Sequence, residues 1–258
     1  LSGTGNNFST LDIQSGTVTL SGDLANATDV NLATASSDFD LAGNDEMIDQ
    51  LDGASGSSVT LGSGGKLTAD GGNFAGDITG TGASELEVND SGTGNALTLS
   101  GIGNNFSTLD IQSGTVTLTG DLANTTDVNL AATSSDFDLA GNDETIDQLD
   151  GTAGSVTLGN GGTLIADGGN FAGDITGTGA SKLEVNDSGT GNTLTLSGTG
   201  NDFSALDIQS GTVTLPGDLA NATDVNLGAA SSILDLNGND ETIDQLDGVS
   251  GSSVTLGN

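Results

Sequence analysis

The most constraining feature of this chain is a passage that it repeats almost word for word. FAGDITGTGASELEVNDSGTGNALTLS at Phe74–Ser100 returns at Phe171–Ser197 as FAGDITGTGASKLEVNDSGTGNTLTLS. Within it, apolar triplets such as Leu183-Glu184-Val185 and Leu194-Thr195-Leu196 are set between Gly, Ser, Thr, Asn and Asp. Each triplet has the two-residue period of a half-buried strand. The spacers read as turns, because Gly tolerates positive φ and Asn and Asp bond to their own backbone. Strands this short are not stable alone, so the architecture has to stack them on neighbours like themselves.

The repetition runs through the whole chain. LDIQSGTVTL occurs at Leu11–Leu20, Leu109–Leu118 and Leu206–Leu215, and IDQLDG begins at Ile48, Ile146 and Ile243. Phe8, Phe106 and Phe203 recur at offsets of 98 and 97 residues. The chain therefore holds copies at about 1–98 and 99–195 and a partial third at 196–258. Near-identical copies call for near-identical environments, as in a linear array. Inside a copy, apolar pairs fall every 7 to 12 residues or so, the rhythm of an all-β chain. Two or three such strands per turn give coils of roughly 18 to 28 residues, about 4 or 5 per copy, and a rod on the order of 50–65 Å at the usual strand spacing. The expectation is an all-β fold, a β-solenoid of stacked coils forming one continuous domain over 1–258.

Helix is disfavoured throughout, since 43 of the 258 residues are glycine and each interior glycine costs a helix about 1 kcal/mol. Gly43–Asp52 has the most helix-tolerant composition, yet its apolar spacing lasts one turn, so it reads as strand or turn. The single proline, Pro216, stands where the other copies have Ser21 and Thr119. It marks the end of the strand Thr212–Leu215, where a missing amide is tolerable. Asn31, Asn129 and Asn226 are equivalent, and parallel stacking would let Asn side chains ladder and Phe or Leu stack inside.

Composition narrows the functions. With two lysines, no arginine, no histidine and 36 acidic residues, the formal charge is −34, which excludes nucleic acid as a partner for want of groups to neutralise phosphate. Anionic membrane surfaces are disfavoured for the same reason, and no stretch is apolar enough to span a membrane as a helix. Cysteine is absent, which is compatible with secretion.

Without His or Cys, a Ser–His–Asp or Cys–His arrangement cannot be built. Ser181-Lys182 could form a Ser–Lys pair, but the first copy has Ser84-Glu85 there, and an exposed strand position explains the lysine. The acids Asp45, Asp143 and Asp240, and Asp52, Asp150 and Asp247, recur in every copy. An active site is normally assembled once, so these read as a solvated face and not as catalytic pairs. Asp45, Glu46, Asp49 and Asp52 lie close in sequence, but their spacing matches neither the EF-hand loop nor the calcium β-roll, for which Gly71–Ile78 is a poor fit. No catalytic, cofactor or metal residues are assigned; diffuse counterion screening is the favoured reading of the acids, with calcium bound at defined sites as the alternative. Asn-x-Ser/Thr sequons, as at Asn7, Asn26 and Asn124, read as polar turns.

The run GTGNTLTLSGTGNDFSALDIQSGTVTLPG (Gly189–Gly217) resembles the passenger-associated β-strand repeat of bacterial autotransporters. ILDLNGNDETIDQLDGVSGSSVTLG (Ile233–Gly257) is similar to a second pattern of those proteins, and FAGDITGTGASKLEV to the element that precedes their repeats. The resemblance covers essentially the whole chain. It implies a right-handed parallel β-helix, exported and displayed at the cell surface. The chain departs from the family in showing no translocator barrel, signal segment or inserted enzyme domain, and in being more acidic.

The expected role is structural: an adhesin passenger or stalk segment, or the subunit of an extracellular filament or sheath, and not an enzyme. Its partners would be itself, end to end or within a longer chain, and a host surface or matrix polysaccharide. Leu1-Ser2-Gly3 enters mid-motif, and Val254–Asn258 stops where the second copy runs on into Gly161-Gly162, which fits a segment of a longer array. The alternatives are a solenoid that binds carbohydrate or ice, or a polysaccharide-acting β-helix enzyme.

Overall fold

The computed structural model describes residues 1–3, 6–90, 94–187 and 191–257. The spacers at 91–93 and 188–190, read above as turns, and Asn258, lie outside the described residues. All regular structure among the described residues is β-strand, joined in parallel ladders, and none is helix. Accordingly, no helix is long and apolar enough to cross a membrane. The chain divides into two compact units, Leu1–Thr126 and Asp127–Asn258, and each is a parallel β-solenoid.

In the first unit the strands of each coil pair with those of the next to form three parallel sheets. One sheet carries Thr10–Ile13, Asp29–Leu32, the end of Glu46–Gly53, the end of Lys66–Phe74, Ala96–Leu99 and the end of Thr108–Leu118. A second stacks Gly16–Thr19, Ser37–Asp40, Ser58–Ser63 and Asp77–Thr81. The third stacks the beginnings of Glu46–Gly53, Lys66–Phe74 and Thr108–Leu118 around Glu85–Asn89. Register partners are 18 to 25 positions apart in sequence, for example Gly62 with Gly80 and Gly72 with Leu97.

Alternation decides what goes inside. Ile48, Ala69, Val88 and Ile111 stack in one buried column, and Phe39, Val59 and Ile78 in another. Like residues stack on like because a parallel ladder without slippage keeps every second side chain inside. Size is balanced along the columns. Gly53 lies in register between Leu32 and Phe74, and a β-carbon on it would come within 2.4 Å of the Phe74 ring. Gly72 is required for a different reason. Its φ is +130°, and a β-carbon there would meet the Leu51 carbonyl at 2.1 Å. Only glycine lets the strand Lys66–Phe74 turn the corner from one sheet to another against that carbonyl.

The second unit follows the same plan with Asp127–Leu130, the ends of Glu144–Gly151 and Thr163–Phe171, Thr193–Leu196, Thr212–Thr214, Ile233–Asp235 and Ser253–Thr255 in one sheet. Another sheet stacks the starts of Glu144–Gly151 and Thr163–Phe171 with Lys182–Asn186, Ala205–Ser210, Asp224–Leu227 and Leu246–Gly248. Ser135–Asp138, Ser155–Asn160 and Asp174–Thr178 make the third. Gly169, with φ +129° and a β-carbon position 2.1 Å from the Leu149 carbonyl, repeats the role of Gly72.

A copy does not span a whole number of coils. In the first unit the LDIQ strand of the first copy, Thr10–Ile13, belongs to the first sheet described. The same motif of the second copy, at 108–112, pairs with Glu85–Asn89 in the third. The second unit repeats the shift: Asp127–Leu130 pairs with 149–151, whereas its counterpart Asp224–Leu227 lies on the column of Ala205–Ser210. Each copy therefore starts one sheet away from the copy before it.

Gly43–Asp52, the stretch most tolerant of helix, forms the strand Glu46–Gly53 after a turn. At Pro216 the structure refines the reading. The equivalent amides of Ser21 and Thr119 donate to the carbonyls of Leu1 and Leu99 at 2.8 and 2.9 Å, so the position is a ladder position. Proline forfeits that bond and keeps a second one, since the Gly217 amide reaches Leu196 O at 3.0 Å as the Gly120 amide reaches Leu99 O at 3.1 Å. The asparagines ladder, but with aspartates. Asn31 lies in register between Asp12 and Asp52 and donates to Asp12 Oδ1 at 3.0 Å, and Asn226 donates to Asp207 Oδ1 at 2.9 Å. An amide between two carboxylates separates like charges that would otherwise stack directly.

Candidate functional site

The recurring acids tie one coil to the next. Asp45 Oδ1 accepts the Lys66 amide at 3.2 Å, and Asp143 Oδ1 the Thr163 amide at 2.9 Å. Asp52 and Asp150 accept the amides of Asn73 and Asn170 at 2.9 and 2.8 Å. Asp38 and Asp136 each take a serine and a threonine hydroxyl from the coil above. Asp77 and Asp174 hold the Gly103 and Gly200 amides at 2.9 and 2.8 Å. Asp45 and Asp143 are exposed and the others half-exposed, and all but Asp38 and Asp136 satisfy backbone donors of the next coil. The sequence signal was available for Asp45 and Asp52, whose counterparts recur in every copy, whereas the third copy has Ile233 in place of Asp38.

The cluster Asp45, Glu46, Asp49 and Asp52 is not one site. Glu46–Gly53 crosses from one sheet to another, so Asp45 and Glu46 belong to one face and Asp52 to the next. Glu46 turns inward to 7% exposure, and both of its oxygens accept the Leu24 amide at 3.2 Å. It replaces a strand partner where the chain at 21–28 leaves the sheet. Burial pushes its carboxyl up, the Leu24 and Met47 amides pull it back, and Asp23 adds to the rise. Glu241 holds the Leu219 amide at 3.2 Å in the same way.

An open groove of about 300 Å³ lies over Glu46, lined by Asp23, Asn26, Asp45, Met47, Lys66 and Glu87 among others. Met47, the one methionine, is 41% exposed at its rim and receives the Asn26 amide on its sulphur at 3.0 Å.

Beside the groove, carboxylate oxygens of Glu85, Glu87 and Asp110 lie within 4.8 Å of one another, the only such group of three among the described residues. The two glutamates share a cation that the chain itself supplies. Lys66 Nζ is 2.5 Å from Glu87 and 3.6 Å from Glu85. Their hydrogen bonds raise the lysine, chiefly that to Glu87. In the second copy the lysine has moved one coil along: Thr163 replaces Lys66, and Lys182 replaces Glu85. Lys182 Nζ reaches Glu184 at 2.8 Å and Asp207 at 3.6 Å. Glu184 is the counterpart of Glu87, and these two side chains are only 15% and 11% exposed. Both lysines of the chain thus serve the same half-buried glutamate, a relation invisible without the register.

Ser181 and Lys182 do not form a nucleophile pair. The serine is fully buried and accepts the Ser204 amide, while the lysine, next along the strand, points to the opposite side. At two sequons the hydroxyl is consumed inside: Thr28 and Thr126 are buried and donate to the carbonyls of Phe8 and Phe106 at 2.8 Å. In the second unit, one oxygen each of Asp127 and Asp224 is buried without a hydrogen-bond partner. Burial, with Asp147 and Asp150 alongside, pushes Asp127 up, against the Gln148 amide.

Chemically, this surface offers carboxylates and hydroxyls that bond mainly to the next coil of the same chain. No family model, curated protein or solved structure matches the chain. The likeness to autotransporter passenger repeats therefore stands on the motifs quoted above.

Proposed function

We propose that this chain is a structural repeat protein of the cell exterior, a stalk or passenger segment or a filament or sheath subunit of the autotransporter-passenger kind. One observation carries the reading: the copies keep nearly all of their buried residues, Phe39 and Phe137 giving way only to Leu234 in the third, and change mainly at the surface. Phe74 and Phe171, Val88 and Val185, and Ile111 and Ile208 match inside, while Met47 becomes Thr145, Glu85 becomes Lys182 and Ala96 becomes Thr193 outside. A sequence that preserves its stacking interface and lets its surface drift is specified for length and continuity. In the first unit the start of the second copy already stacks in register on the end of the first, through Glu85–Asn89 and Ala96–Leu99. The same interface suits further copies, whether covalent or from a second chain. The strong negative charge favours a soluble surface that resists side-by-side clumping.

The test is location and state. Immunogold labelling of intact source cells should decorate the exterior, and sedimentation of the purified chain should show concentration-dependent growth. Labelling confined to the cytoplasm would overturn the extracellular role. A purely monomeric species at all concentrations would overturn self-association.

A further inference from the structure

The two lysine clusters differ at two positions, Lys66 against Thr163 and Glu85 against Lys182, and that difference has a consequence for pH. In the first unit Glu85, Glu87 and Asp110 bring three negative charges within 4.8 Å of one another around the single Lys66. The second copy places Lys182 where Glu85 would be, leaving Glu184 and Asp207 against one ammonium. The first cluster thus carries one negative charge more than its counterpart for the same lysine. Charged and titratable groups face it from every strand packed on it: Lys66 below, Glu87 on its own strand, Asp110 above. Gln112 donates to Asp110 at 2.6 Å and Thr68 to Glu87 at 3.3 Å. Across the groove stand Asp23, Asp45 and the buried Glu46.

We propose that the Glu85–Glu87–Asp110 cluster is a proton-responsive clasp, taking up a proton on mild acidification and drawing the coils of the first unit together. A proton on Glu85 leaves Glu87 and Asp110 beside the one ammonium, the balance that Glu184 and Asp207 have with Lys182. Burial, with Asp110 and Glu87 nearby, pushes Glu85 above its ordinary value of 4.5, against the pull of Lys66. Glu46 is raised from the same value, mainly by burial. A carboxyl raised on folding binds its proton more tightly in the folded chain. Stability is therefore gained as pH falls through the raised value, and the gain is complete below 4.5. Lys66 stays charged across this range, because its bond to Glu87 raises it too. The direction is opposite to the usual acid response of a carboxylate protein.

The experiment uses the full chain in two measurements. With carboxyl-labelled glutamate, the six glutamates are followed by NMR from pH 7.5 to 3.5, and Glu85 should titrate above 4.5. Thermal unfolding over the same range compares the wild type with Glu85→Lys, which installs the second copy's own residue, and with Lys182→Glu, which removes it. Asp202→Lys, an exposed site of equal charge change, controls for net charge. The expected Tm of Glu85→Lys at pH 7.5 is higher by about 2–4 °C, with a flattened acid gain. Lys182→Glu should lower Tm at pH 7.5 and steepen the gain. Titration of Glu85 at or below 4.5 would overturn the proposal. So would an Asp202→Lys profile equal to that of Glu85→Lys, which would assign the effect to overall charge.

Discussion

The corner at Gly53–Ser58 and its counterpart at Gly151–Ser155 make the same turn with different numbers of residues. The first runs Gly-Ala-Ser-Gly-Ser-Ser and the second Gly-Thr-Ala-Gly-Ser. In the first, Ser57 is buried and its hydroxyl bonds to Ala54 O at 2.7 Å. The second omits that residue, yet Gly154 (φ +90°) takes the place of Gly56 (φ +83°), and the next strand enters the same kind of ladder. This one residue is the difference between the offsets of 98 and 97. The strands on either side have less freedom: apart from a bulge at Thr60/Gly62 and its counterpart at Thr157/Gly159, a shift of one would turn interior side chains outward. The comparison teaches that the solenoid fixes its columns and leaves length to the corners.

The sharpest way to break that comparison is to delete a residue on each side of the boundary. Removing Thr60, inside the strand Ser58–Ser63, should abolish cooperative unfolding of the first unit. Removing Ser57 should cost on the order of 1 kcal/mol, the scale of its hydrogen bond. Equal losses from the two deletions, measured by denaturant unfolding, would refute the distinction.

The columns themselves can be compared across copies. Phe74→Ala and Phe171→Ala should each cost about 3–5 kcal/mol, and by the same amount, since each ring fills the space left by a glycine below it, Gly53 or Gly151. A difference above about 1 kcal/mol, well outside the usual scatter for independent sites, would show that the copies are not equivalent inside.

A smaller effect concerns charge on the shared surface. Raising salt from about 10 to about 150 mM shortens the screening length from roughly 30 to 8 Å and should raise Tm by a few degrees. Calcium should be more effective per mole than sodium. A Tm indifferent to salt would mean that the ladders of Asp with Asn, and of Glu with Lys, already relieve the repulsion.

The smallest effect is expected at the one proline. Pro216→Thr restores the amide that Thr119 uses, but Gly217 already reaches Leu196 O, and the mutation loosens the unfolded chain. The two terms oppose, and the net change should stay within about 0.5 kcal/mol. A gain above about 1 kcal/mol would show that Gly217 is a poor substitute.

By itself the sequence determined the all-β class, the stacking of short strands on like neighbours and nearly all of the core. Alternation places Leu194 and Leu196 inside and Thr193 and Thr195 outward with no appeal to tertiary contacts, and the repeats require neighbours of the same kind. The coil length was legible as a range, because turn residues mark corners without saying which strands share a sheet. What the tertiary structure alone decided were relations between coils. That Glu46 closes on the Leu24 amide, that Asp45 caps Lys66, and that Lys66 and Lys182 serve equivalent glutamates from different coils all depend on register. Register is set by the length of each corner, and corners differ by a residue or more between coils. A local pattern of period two cannot carry that sum, and so the columns were readable from the chain while their alignment was not.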